Sequence, residues 1–156
     1  MSTTQWLLGI HVLGAFLFIA GAVLAGILQT SAIFRSRPSE IALLLRLTRV
    51  AVVTVAVGAL VSLAFGVWLV EEVGFTWGDA WIDWALALWI VSLALGALGG
   101  RSARHTRYLA ERLVADGDSP SAELRRALSD PVAMSINYAS LLAALAVLAL
   151  MIWRPA

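Results

Sequence analysis

The chain predicts an all-α membrane protein folded as a bundle of four transmembrane helices, and three observations predict it. The first is composition: 61% of the 156 residues are hydrophobic and 13% are charged, with mean hydropathy +0.89. Soluble domains carry about 25% charged residues. The second is four apolar stretches, near residues 6–33, 45–70, 80–100 and 131–153, each long enough for a hydrocarbon core of roughly 30 Å. The third is the separation of arginine from tryptophan. Arg35, Arg37, Arg46 and Arg49 lie in the one–two connection, and Arg101, Arg104, Arg107, Arg112, Arg125 and Arg126 in the three–four connection. The two–three connection holds none.

By the positive-inside rule the two basic connections are cytoplasmic and both termini extracytoplasmic. Trp6, Trp77, Trp81, Trp84 and Trp153 then form an outer aromatic belt, with Trp68 and Trp89 deeper. The expected location is a bacterial inner (plasma) membrane, with all of 1–156 forming one membrane domain.

Span one opens without a basic leader and runs far past the 7–15 apolar residues of a signal peptide, so a retained helix is expected. His11, Gly14, Ala15, Phe18, Ala22, Ala25 and Gln29 share one helical face. Because that stripe holds the small residues and both strongly polar ones, it should turn inward. Arg35 to Pro38 end the span. Span two follows a short amphipathic lead-in, and Thr54, Gly58, Ser62 and Gly66 recur every four residues as a packing seam.

Thr76 followed by Asp79 resembles a capping box and predicts a helix start near Trp77. Span three ends with Gly96 and Gly100 in GxxxG spacing, expected at a helix contact. Residues 101–115 read as its helical continuation, with Arg107 and Glu111 at pairing distance. Residues 115–119 read as a turn, Ser119 and Pro120 as the start of a surface helix, and Asp130 with Pro131 as the start of span four.

No cysteine and no lysine occur, which removes disulfides, thiolate metal sites and Schiff-base chemistry. No paired nucleophile and base, phosphate loop or zinc signature is present. His11 could ligate haem or a metal or carry protons, but the reading favoured is a neutral imidazole hydrogen-bonded between helices. A haem held by both histidines fails on geometry. His105 lies most of a bilayer away, about 30 Å, where iron needs each nitrogen at about 2 Å. Met151 has a depth compatible with a sixth ligand opposite His11. The acids Glu71, Glu72, Asp79 and Asp83 could gather a hard cation or simply be solvated. The cytoplasmic arginines, beside membrane spans, suit anionic lipid headgroups at about 1 kcal/mol each rather than nucleic acid. Asn137 and Tyr138 need partners inside span four, and interhelical hydrogen bonds are expected.

HVLGAFLFIAGAV in span one (from His11), GVWLV closing span two (from Gly66) and LMIWRP closing span four (from Leu150) resemble a bacterial family of predicted four-span membrane proteins, domain-of-unknown-function family 2269. The resemblance covers nearly the whole chain. It implies a four-helix bundle with a histidine near the start of span one, here His11, and brings no activity. Arg154 stands where the family usually has lysine. A looser likeness extends to copper-resistance D-type proteins and the J-type membrane protoporphyrinogen oxidase, which would imply haem or copper handling. The oxidase's functional lysine has no counterpart here.

Two functions follow as expectations. The leading one is a structural or accessory membrane protein, as a homo-oligomer or a subunit of a larger complex. The rival is a haem- or metal-binding redox protein using His11. A small-solute or proton carrier is a third class, for which the sequence offers little to line a path.

Overall fold

A computed structural model describes residues 2–153. Arg154 and Pro155 of the closing motif lie outside the described residues. Five helices occur in order: α1 Thr3–Ile33, α2 Pro38–Val73, α3 Ala80–Ala115, α4 Ala122–Leu128 and α5 Pro131–Trp153. No strand occurs among the described residues. Four candidate spans, α1, α2, α3 and the α4–α5 segment, are long and apolar enough to cross a membrane.

Local chemistry sets most of the helix ends. Ser2 and Gln5 form a reciprocal capping box at α1, with Gln5 N–H donating to Ser2 Oγ and Ser2 N–H to Gln5 Oε1. Pro38 takes the first position of α2, where its missing N–H costs nothing. Gly74 ends α2 at φ 80°, a left-handed conformation suited to glycine. Asp130 Oδ1 accepts from Val132 N–H at 3.0 Å, capping α5.

Two starts differ from expectation. α3 begins at Ala80 rather than near Trp77, because Gly78 at φ 114° turns the chain first. Asp79 makes no side-chain cap; its carboxylate accepts from Thr76 Oγ1 at 2.8 Å instead. α4 begins at Ala122, with Ser121 rather than Ser119 as its cap.

The helices pack as two antiparallel pairs. α1 lies along α2 and α3 along α5; α2 meets α3 more lightly, and α1 meets α5 more lightly still. Around the bundle the order is α1, α2, α3, α5. Where the four meet, Phe18, Ala59 and Ala144 form a small core flanked by Ile19, Val55, Trp89 and Leu93.

A second core lies at the arginine-bearing end. Ala32, Ile41, Ala42, Leu45, Ala110 and Leu124 close it, with α4 as its lid. Its existence follows from length. Helices α2 and α3 have 36 residues each, about 54 Å, against a hydrocarbon core of roughly 30 Å. Their ends must project, and the arginines mark which ends do.

Candidate functional site

The α1–α2 contact is built on absent side chains. A Cβ at Gly14 would lie 2.6 Å from the Ser62 amide nitrogen, and one at Gly21 would lie 2.9 Å from the Ala51 carbonyl oxygen. At Gly58 it would collide with the Phe18 amide nitrogen and with the Gly14 carbonyl oxygen. The two backbones therefore touch, the arrangement that small residues permit between helices in lipid. Ala22 is only half-buried, and its neighbour Gly21 makes the close approach.

His11 sits in this seam, toward the tryptophan-bearing end. Its ring occupies the notch left by Gly66, whose Cβ would lie 2.9 Å from Cε1 and Nδ1. His11 Nδ1 lies 2.8 Å from the Ser62 carbonyl oxygen. A carbonyl only accepts, so Nδ1 carries the proton and donates, which leaves Nε2 as the lone-pair nitrogen. The imidazole is half-exposed. Met151 is half-buried on α5, the span that packs least on α1. His105 is exposed at the opposite end of the bundle.

The α3–α5 contact corrects one expectation. Gly100 faces open space, whereas Gly99 is the buried glycine, pressed against the Asn137 carboxamide. Gly96 lies one turn away, with Ser140 Oγ at 3.3 Å from where its Cβ would stand. Ser92 and Ser140 exchange hydrogen bonds, each hydroxyl donating to the other's carbonyl at 2.9 and 2.8 Å. Asn137 Nδ2 donates across the bundle to Gln29 Oε1 at 2.6 Å, joining α5 to α1. Trp89 Nε1 is buried in the central core with no hydrogen-bond partner among the described residues.

No group of three or more His, Cys, Asp or Glu among the described residues could hold a metal ion. Glu71 and Glu72 lie exposed at the end of α2, Asp83 is exposed on α3, and the Asp79 carboxylate is engaged by Thr76.

At the basic end, Arg46 Nη2 lies 3.2 Å from Glu111 Oε1, and Arg107 Nε 4.0 Å from the same oxygen. Arg107 is 7% exposed, with its guanidinium 4.9 Å from the Tyr108 ring centroid. Asp118 reaches Ser39 with both oxygens, accepting from the Ser39 N–H and from its hydroxyl at 2.7 Å each.

A long apolar chain whose only intramembrane histidine is keyed into a glycine notch now has a family. The model of predicted integral membrane proteins of unknown function, DUF2269, matches residues 5–155. The chain belongs to that family. The family description assigns membership of the membrane and no activity. No curated protein and no solved structure matches the chain.

Several features of the DUF2269 chain had no clear sequence signal. Gly21 and Gly99 each sit beside the residue that spacing favoured, Ala22 and Gly100. The Gln29–Asn137 bond joins positions 108 apart, and only the polarity of both residues hinted that each needed a partner. The Ser39–Asp118 contact had no signal beyond the two residue types.

Proposed function

We propose that this family member is a structural or accessory component of a membrane assembly, as a homo-oligomer or with another membrane subunit. One observation carries the reading. Within the most apolar stretch of each span, 22% of residues are buried in the first three, and 11% in the fourth. The fourth span is thus the least buried of the four within its own chain. The polar side chains inside the bundle are few: His11, Gln29, Asn137, Ser92 and Ser140 use theirs to join helices, Thr48 and Thr54 bond within α2, and the Trp89 indole N–H is buried. That inventory suits packing better than turnover.

The proposed setting is a bacterial plasma membrane with the arginine-bearing end inside and both chain ends outside. The exposed arginines there would meet anionic lipid headgroups. Extraction in mild detergent followed by native mass measurement tests the assembly reading. An oligomer or a co-purifying subunit is expected, and Leu142→Trp, on the open face of α5 (Leu142 is 66% exposed), should weaken it. A monomer alone at all protein concentrations would overturn the reading.

A second reading has its own observation. The Nδ1–H of His11 is held by a backbone carbonyl, the arrangement that orients a histidine to offer Nε2 to a metal centre. In this reading a haem would be held by two residues, His11 through Nε2 being the first. Met151, on the span that packs least on α1, would be the second. A visible spectrum of the purified protein after haem addition decides. A Soret band that shifts on binding and is lost in His11→Ala supports haem, and an unshifted spectrum of free haem ends it.

A further inference from the structure

The four spans are not held equally, and the inequality has a pattern. Within the α1/α2 pair the backbones touch at Gly14, Gly21 and Gly58. Within the α3/α5 pair Gly99 receives Asn137, and Ser92 and Ser140 exchange two hydrogen bonds. Each pair is therefore locked by contacts that tolerate no sliding. Between the pairs the central core is apolar side chain on apolar side chain.

The two edges where the pairs meet also differ. The α2–α3 edge is tied at its basic end by Arg46–Glu111 and Ser39–Asp118. At its other end it is closed by the short loop of residues 74–79, whose Gly74 and Gly78 both have positive φ. On the α1–α5 edge packing is light: Gln29 and Asn137 bridge the helices, and α4, just before α5, meets α1 at the basic end.

We propose that the two helix pairs move against each other as rigid halves about the α2–α3 edge, with the Gln29–Asn137 bond as the latch on the α1–α5 edge. Unlatching parts α1 from α5 and opens the central core sideways to the bilayer. Rigid pairs hinged at a few loop residues are a known form of domain motion.

The absence of cysteine makes the test direct, because each introduced cysteine is the sole label site. Exposed positions serve for spin-label pairs: Thr30 with Val132 across the halves, Thr30 with Leu47 within the first, and Arg104 with Val132 within the second. Pulsed dipolar distances are measured in lipid nanodiscs, for the native chain and for Gln29→Met, which removes the latch while leaving Asn137 seated on Gly99. In the native chain the cross-half distribution should be broader than either within-half distribution. In Gln29→Met it should shift several ångströms longer while the other two stay put. A native cross-half distribution as narrow as the others overturns the proposal. So does Gln29→Met leaving the cross-half distance unchanged, or broadening all three pairs together. The native comparison stands even if Gln29→Met fails to fold.

Discussion

A single methyl group is enough to separate α1 from α2. Added at Gly58, it would press on the Phe18 amide and the Gly14 carbonyl, both backbone, so neither can rotate away. Overpacking of this kind costs about 1–3 kcal/mol. Gly58→Ala should therefore lower the thermal unfolding midpoint in detergent, whereas Gly100→Ala, facing open space, should leave it unchanged. Gly66 differs because its neighbour is a side chain. Gly66→Ala should push the imidazole out of its notch and break the bond to the Ser62 carbonyl. Nitrogen NMR of labelled histidine should show His11 as the Nδ1–H tautomer in the native chain and lose that signature in Gly66→Ala. The seam on α2 was legible because Gly58, Ser62 and Gly66 repeat at the spacing of one helical face. The choice of Gly99 over Gly100 was not, since it depends on the angle at which α5 crosses α3.

Helix ends show the same division. Pro38 and Asp130–Pro131 mark starts because proline's fixed φ and a short acceptor side chain act locally, whatever the tertiary structure. The α3 start was misplaced because Gly78 adopts φ 114° and breaks the line from Thr76 to the helix. The N-terminus of α2 depends on a residue far along the chain. Its own cap position is Arg37, which makes no side-chain hydrogen bond, and Asp118 supplies the missing acceptor. A carboxylate there also meets the positive end of the helix dipole. Asp118 pays for this with φ 55°, uncommon for a residue other than glycine. Asp118→Ala should speed amide exchange at residues 39–41 about tenfold, equivalent to roughly 1.4 kcal/mol and within the usual range for a lost cap. Unchanged exchange would mean that Asp118 is incidental to α2.

At the scale of the molecule, the two cores obey different physics. Inside a bilayer, lipid tails are as apolar as leucine, so burying leucine between helices gains little, and close backbone packing and hydrogen bonds must hold the spans. That is where the glycine contacts, the serine exchange and the Gln29–Asn137 bond are found. At the arginine-bearing end, water drives association, and there the core is leucine, isoleucine and alanine without hydrogen bonds of its own. The four-span bundle was legible in the sequence because apolar length alone announces a span. The second core was not, because its leucines looked like continuations of spans two and three. Truncating one should therefore injure one end only. Leu124→Ala, on the buried face of α4 where Leu124 is 2% exposed, should cost about 2–5 kcal/mol of local stability. Trypsin should then cut faster after Arg112, Arg125 and Arg126 in reconstituted protein, while the helical circular dichroism and the Gly58-dependent melting of the spans stay as they were. If the spans melted earlier as well, the projecting end and the bundle would be one cooperative unit. The different forces at the two ends would then give no separation in stability.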